Sequence, residues 1–201
     1  MKENVERCGA TAVMVMDRWG DPVDPEKLEA AIKEHPDAKV VTFVHAETST
    51  GVRSDAEMLC RLAKDADMLV IIDAVTSLAG IELKADEWGA DVVYSGTQKC
   101  LSGLPGISPI TFSDKAVEVI RARRQKVQSW FLDMNLIMGY WGEGAKRSYH
   151  HTAPVNSIYA IHEALLMLEE EGLDASVARH KANHFTLAAG LSELGLELAV
   201  A

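Results

Sequence analysis

The chain has 201 residues, of which 48% are hydrophobic, and its 20 Lys and Arg against 30 Asp and Glu give a formal net charge of −10. This composition is typical of a globular protein with one domain, or one domain and part of another. The negative charge argues against nucleic acid as a partner, and the lack of a long apolar run or signal segment argues against a membrane and favours a cytoplasmic protein.

Short apolar runs alternate with helical patterns over the first half of the chain. Asp24 and Pro25 predict a helix start at 25, with its end near 34, and Ser54 predicts a second helix to about 64, with Glu57 in the capping-box position. Alternating strands and helices predict an α/β fold with a parallel or mixed sheet covered by helices on both faces. The predicted strands are 10–16, 39–45, 68–72, 92–94 and 107–112.

The second half of the chain has a helical and aromatic character. A helix is expected from Asp114 to about Val127, followed by an irregular stretch, an amphipathic helix after Pro154 that ends at Gly172, and a helix over 174–194 before a strand at 196–200. The helix after Asp114 carries a basic cluster, which predicts an exposed face or a subunit contact: Arg121, Arg123, Arg124 and Lys126. The aromatic residues of the irregular stretch are expected in interface and core packing: Trp130, Phe131, Tyr140 and Trp141.

Two neighbouring predicted strands end in residues that can carry chemistry. The apolar run 68–72 is followed by Asp73, and the run 92–94 continues through a polar turn to Lys99. A lysine amine can form a Schiff base with the aldehyde of pyridoxal phosphate (PLP), and an aspartate can keep the pyridine nitrogen protonated. The pattern alone also fits an aspartate that caps a turn and a lysine in solvent.

Four motifs occur in order along the chain and reach over nearly its whole length. They are 45–52 (HAETSTGV), 72–78 (IDAVTSL), 94–99 (YSGTQK) and 149–154 (YHHTAP). Together they resemble the class V aminotransferases, most closely the alanine/serine–glyoxylate (serine–pyruvate) aminotransferases. The resemblance implies the large domain of the PLP-transferase type I fold, with a mixed, mostly parallel sheet, and a PLP-dependent transfer of an amino group from alanine or serine to glyoxylate or pyruvate.

The resemblance also implies roles for particular residues. Lys99 would be the Schiff-base lysine and general base, and Asp73 would hold the pyridine nitrogen. Tyr149 and Thr152 match positions that contact the cofactor phosphate of the other subunit in family dimers, which implies a homodimer with shared sites. The cofactor-binding set is Thr48, Asp73, Val75, Gln98, Lys99, Tyr149 and Thr152.

The chain lacks two parts that the family carries. A Gly/Ser-rich phosphate loop would precede it, and an arginine that binds the substrate carboxylate would follow it. Residues 1–153 are therefore expected to form the central part of a PLP-binding large domain, and residues 154–201 a helical connection toward a small C-terminal domain. A shortened, non-catalytic dimerisation protein is the alternative of a different class.

Other chemistries remain as alternatives. A ureidoglycine- or phosphonate-specific transaminase stays open, whereas a cysteine desulfurase is disfavoured, because Gln98 stands where histidine is usual and no cysteine follows Cys100. The cysteines, Cys8, Cys60 and Cys100, have no paired or metal-type spacing and are expected as free thiols, with Cys100 a small neutral neighbour of Lys99. No metal site is expected, since adjacent histidines such as His150 and His151 are expected to point apart.

Overall fold

A computed structural model describes residues 1–142 and 148–200 and contains a four-stranded sheet in the order β1-β2-β3-β4. The first three strands are parallel and β4 is antiparallel to β3. The prediction of an α/β fold with a mixed, mostly parallel sheet is therefore confirmed. The strands are β1 (Val40–Val44), β2 (Leu69–Asp73), β3 (Val92–Tyr94) and β4 (Ile110–Phe112).

The helices of the described residues connect and follow these strands. The crossover from β1 to β2 contains α3, and the crossover from β2 to β3 contains the short α4. The helices are α1 (Lys2–Arg7), α2 (Pro25–Glu34), α3 (Ala56–Asp65), α4 (Ala85–Trp88), α5 (Asp114–Arg121), α6 (Met134–Trp141), α7 (Val155–Glu171) and α8 (Leu173–Glu193). None of these helices is both long enough and apolar enough to cross a bilayer, over the residues that the structure describes.

The apolar core lies between one face of the sheet and the helices α2 and α3. Leu59 and Ala63 of α3 are buried against alternate strand residues, namely Val70 and Ile72 of β2 and Val93 of β3. Because side chains alternate across a strand, Asp73 and Tyr94 lie on the opposite face. The pattern that builds the core thus directs these two polar side chains away from it.

The two helix starts predicted near the beginning of the chain have different outcomes. Asp24 caps α2 as predicted, since its carboxylate accepts from the Glu26 backbone N–H. The prediction of Ser54 as the cap of α3 is wrong, because Asp55 is the cap and accepts from Met58 N at 3.0 Å. The Ser54 hydroxyl instead accepts from Val23 N at 3.1 Å, so it is bonded to a residue outside the helix and does not cap it.

Two predicted strands are absent from the described part of the chain. Residues 10–16 and 196–200 have the apolar composition of strands, but neither segment pairs with the sheet. A strand requires a hydrogen-bonding neighbour, and composition alone does not supply one. Met16, the last residue of the first segment, and the nearby Trp19 are among the most exposed apolar side chains, at 69% and 77%.

The region after β4 also differs from its prediction. Helix α5 ends at Arg121 instead of near 127, so the rest of the basic cluster lies in an exposed loop. The stretch expected to be irregular contains α6, which begins at the cap Asp133. Trp130, Phe131 and Trp141 are more than half exposed, so the core-packing part of their expectation is wrong, whereas the interface part stays a prediction. Trp130 and Phe131 lie in the loop before α6, and Trp141 is the last residue of α6.

Candidate active site

The Asp73 carboxylate is the most constrained group at the carboxyl end of the sheet. Its Oδ1 accepts from Val75 N at 3.0 Å, and its Oδ2 accepts from the Tyr94 hydroxyl at 2.6 Å. The side chain is half-buried at the last residue of β2. An ionised carboxylate has about four acceptor positions, so two fixed donors leave room for a further donor. Both the turn-capping function and the binding function predicted for Asp73 are compatible with this arrangement.

The position of Tyr94 explains its contact with Asp73. The two residues are register partners in the parallel pair β2–β3, and both lie on the face opposite the core. Burial, then the hydrogen bond to Asp73 and the charge of that carboxylate, raise the pKa of the Tyr94 phenol, which therefore remains a donor. Tyr94 lies within a motif used to recognise the family, but sequence reasoning gave it no function. The sequence contained a signal for this contact. Both strands alternate buried and less buried residues in the same phase, and they end in Asp73 and Tyr94.

The turn that carries Lys99 is held by buried hydroxyl groups. Ser95 Oγ donates to Ala74 O at 2.9 Å and ties the turn to the end of β2. Thr97 Oγ1 donates to the carbonyl oxygens of Leu104 and Ile107, so Thr97 stabilises the polar turn. These bonds order the backbone on both sides of Gly96.

Gln98 lies over the backbone of Gly96. A Cβ atom on Gly96 would approach Gln98 Oε1 to 2.8 Å, closer than side chains pack, so a side chain there would displace Gln98. Gln98 itself is exposed at the end of the turn. Its amide is therefore accessible to a ligand on the same side of the sheet, and its function in cofactor binding stays a prediction.

The loops after β1, β2 and β3 meet at Thr76. Thr48 Oγ1 and Thr76 Oγ1 are 2.7 Å apart, and Cys100 Sγ donates to Thr76 O at 3.4 Å. The carboxyl ends of neighbouring parallel strands share one edge of a sheet, which is where α/β proteins bind ligands. The structure therefore brings Thr48 and the residue next to Lys99 to the loop that follows Asp73.

The loop containing Thr48 is internally braced by a carboxylate. Glu47 Oε1 accepts from Ser49 N at 3.1 Å and from Ser49 Oγ at 2.6 Å, and these bonds lower the pKa of Glu47. Glu47 therefore supports the loop from within. The exposed Thr48 hydroxyl is thus presented by an ordered segment.

Lys99 and Cys100 have contrasting surroundings although they are adjacent. Burial raises the pKa of the Cys100 thiol, which agrees with the expectation of a small neutral side chain. Lys99 is half-buried, and among residues 1–142 and 148–200 its amine makes no hydrogen bond or ion pair. Within these ranges the amine has no competing hydrogen-bond or ionic partner, so it is available to react with a ligand.

Tyr149 and Thr152 contact each other. The Tyr149 hydroxyl and Thr152 Oγ1 are 2.9 Å apart, and Tyr149 is 70% exposed. Neither residue forms a hydrogen bond with Asp73 or Lys99 within the part of the chain that the structure describes. Hydrogen bonds therefore do not connect this pair to Asp73 or Lys99 within these ranges.

His150 and His151 lie between Tyr149 and Thr152 and hold this loop through their ring nitrogens. His150 Nε2 is 3.0 Å from Trp130 O, and a carbonyl only accepts, so this nitrogen carries a proton. His150 Nδ1 and His151 Nδ1 are 2.9 Å apart, which corrects the expectation that adjacent histidines point apart. The loop turns back at this point and brings the two rings together. Groups of three or more potential metal ligands are absent among the described residues.

These residues define a site at the carboxyl edge of a mixed α/β sheet. The Asp73 carboxylate has acceptor positions left for a cationic N–H group. The Lys99 amine, which has no hydrogen-bond or ionic partner among the described residues, can react with an electrophilic carbon. The exposed Thr48 and Gln98 side chains add neutral polar contacts. This donor set fits PLP, whose ring nitrogen and aldehyde require such groups. A sheet of this kind with an aspartate and a lysine at neighbouring strand ends is typical of PLP-dependent enzymes.

Comparisons with known proteins agree with this class. The family model described as "Aminotransferase class-V" matches residues 1–200. The chain is 38% identical to the alanine–glyoxylate aminotransferase of Oryctolagus cuniculus, over 97% of this chain and 50% of that protein. It is 35% identical to the (S)-ureidoglycine–glyoxylate transaminase of Bacillus subtilis, over 98% of this chain and 51% of that protein.

A solved structure shows the same fold. The alanine–glyoxylate aminotransferase from Nostoc superposes with a TM-score of 0.95 at 41% identity, and the match covers 100% of this chain and 52% of that one. The chain belongs to the class V aminotransferase family, as its motifs predicted, and has the PLP-transferase type I fold. It spans about half the length of the relatives it matches.

Proposed function

We propose that this chain carries the cofactor-binding centre of a PLP-dependent transaminase that passes an amino group from an amino acid to glyoxylate. The observation that carries the proposal is the convergence of the loops after β1, β2 and β3 around Asp73, Thr76 and the turn of Lys99. Both relatives compared by sequence have glyoxylate in their names, which supports this acceptor. Pyruvate is the second acceptor to test.

PLP would supply an aldehyde for the amino substrate and a ring that accepts electrons from its Cα carbon. Lys99 would hold the aldehyde carbon through its amine and, once released by the substrate, take the proton from the substrate Cα through Nζ. Asp73 would accept a hydrogen bond from the protonated ring nitrogen. Thr48 and Gln98 would donate to the oxygen atoms of the cofactor, and Val75 would pack against the ring.

A homodimer with shared sites is part of the proposal. Tyr149 and Thr152 are exposed, and their hydroxyl groups bond to each other. These hydroxyl groups are therefore accessible to a group brought by another subunit. A phosphate is a suitable group, because hydroxyl donors are common phosphate ligands. Tyr149 and Thr152 would then bind the phosphate of the cofactor in the other subunit.

Two alternatives for the proposed transaminase differ in their amino donor. Alanine or serine is the first candidate, and ureidoglycine is the second, because the Bacillus subtilis relative has that donor in its name. Cysteine desulfuration is disfavoured, since Gln98 stands directly before Lys99, where desulfurases usually have histidine. The amino donors are to be compared in assays once PLP binding at Lys99 has been tested.

The test is a titration of the purified chain with PLP, followed by borohydride reduction and peptide mass analysis. We expect a visible absorbance band and, after reduction, a phosphopyridoxyl mass on the peptide that contains Lys99. Lys99→Ala should abolish both signals, whereas Lys181→Ala, which changes an exposed lysine of α8, should retain them. A folded parent protein without the band, or a Lys99→Ala variant that keeps it, would refute the assignment.

A further inference from the structure

Tyr94 and Val75 together immobilise the Asp73 carboxylate. Each carboxylate oxygen has one donor, the Tyr94 hydroxyl at 2.6 Å on Oδ2 and the Val75 N–H at 3.0 Å on Oδ1. Rotation of the carboxylate would break at least one of these bonds. The donors are themselves fixed, because Ala74 N donates to Tyr94 O at 2.8 Å where β2 and β3 end. The orientation of Asp73 is therefore set by its neighbours before any ligand binds.

The hydrogen bond from Tyr94 also has a defined direction. The raised pKa of Tyr94 keeps the phenol protonated, so its oxygen donates and Asp73 accepts. The Asp73 carboxylate also accepts from Val75 N at 3.0 Å. Two donors use about half of its acceptor positions, and the others remain available.

We propose that Tyr94 is a positioning residue for the ring-nitrogen contact: its hydroxyl fixes the rotation of the Asp73 carboxylate and keeps it an acceptor toward the protonated pyridine nitrogen of PLP. The inference rests on the proposed function, which pairs Asp73 with that nitrogen. Tyr94 touches Asp73 and acts through it. A purely structural function at the β2–β3 edge would affect every ligand of the site equally, and this difference makes the proposal testable.

The experiment compares PLP with its carbon isostere, in which the ring nitrogen is replaced by C–H. Dissociation constants for both compounds are measured by absorbance titration of the parent chain and of Tyr94→Phe and Asp73→Asn. The readout is the ratio of the two affinities within each protein, so a general loss of stability or of site order cancels. Tyr159→Phe is the matched control, because Tyr159 is 73% exposed on α7.

We expect Tyr94→Phe to weaken PLP binding by about tenfold, or about 1.4 kcal/mol, while the affinity for the isostere is unchanged, since a carboxylate free to rotate weakens only the contact with the ring nitrogen. Asp73→Asn should reduce the preference for PLP at least as much, and Tyr159→Phe should leave it unchanged. Equal weakening of both compounds by Tyr94→Phe would show a structural function and overturn the proposal, as would an unchanged ratio. A folded parent chain that binds PLP on Lys99 keeps the proposed function in either case, whereas no binding would overturn both inferences.

Discussion

We expect the buried His45 side chain to lower the free energy of unfolding in mild acid. The side chain is buried at the end of β1, with its ring edge against Trp88 at a centroid distance of 5.6 Å, and its Nδ1 has no hydrogen-bond partner in the described structure. Burial, and secondarily the charge of Arg53, lower the pKa of His45 from 6.5 to about 4. The native state therefore holds His45 neutral, while the unfolded chain protonates it below its ordinary pKa.

The sign and size of the effect follow from this difference in pKa. The cation is disfavoured in the native state, so the free energy of unfolding falls as the pH drops below 6.5 and stops falling near pH 4. One pKa unit corresponds to about 1.4 kcal/mol, so the full displacement is worth about 3 kcal/mol. Between about pH 7.5 and about pH 5 the expected loss from this group is about 2 kcal/mol.

The assay is urea unfolding followed by circular dichroism at both pH values. His45→Phe removes the titrating group and retains an aromatic ring against Trp88, so it should lose about 2 kcal/mol less than the parent over this interval. His162→Phe is the matched control, because His162 is exposed on α7. Any constant cost of either substitution cancels, since only the difference between the two pH values is compared. Equal losses in the parent and in His45→Phe would refute the reasoning.

The remaining predictions concern a buried carboxylate and the thiols. Asp91 is 1% exposed and accepts from Val70 N at 2.9 Å, so Asp91→Ala should cost about 3 kcal/mol in urea unfolding, and a cost below about 1 kcal/mol would contradict a structural function. Cys8 is exposed, whereas burial raises the pKa of Cys60 to about 12. A maleimide should therefore label Cys8 in the native chain and Cys60 only after unfolding. Labelling of both at equal rates, read by peptide mass analysis, would contradict the burial of Cys60.

The elements predicted from the sequence are correct where local chemistry decides them. Asp24 and Pro25 give α2 a cap and a first-turn proline, and Gly172 ends α7, so these boundaries follow from a few residues. The choice between Ser54 and Asp55 as the cap of α3 depends on a distant residue, because Val23 N takes the Ser54 hydroxyl. Sequence neighbours alone do not contain that information.

Strand pairing accounts for the larger errors. Residues 10–16 match the strands of the sheet in composition but pair with none of them over the described chain. The partner of a strand is set by contacts distant in sequence, which local patterns do not encode. The aromatic residues after β4 are a related case, since the exposure of Trp130 and Phe131 depends on what the chain brings near them.

The site residues fall into two groups for the same reason. Asp73 and Lys99 were predictable because each follows an apolar strand, and the ends of neighbouring parallel strands meet. Thr76 and Tyr94 were missed because their importance lies in contacts, namely the hydroxyl pair with Thr48 and the hydrogen bond to Asp73. Their types and positions are ordinary for the end of a strand and the turn after it.

The contact between Asp73 and Tyr94 depends on the alternation that builds the core. Ile72 pairs in register with Val93, and both are buried against the helices, so the next residues of both strands point to the opposite face. A slip of β3 by one residue would expose Val93 and turn Tyr94 toward the core, away from Asp73. Any sequence change that alters the core pairing of these strands therefore also separates the hydroxyl from the carboxylate. Substitutions of Val93 should for this reason disturb the contact between Tyr94 and Asp73 as well as stability, although Val93 lies on the far side of the sheet.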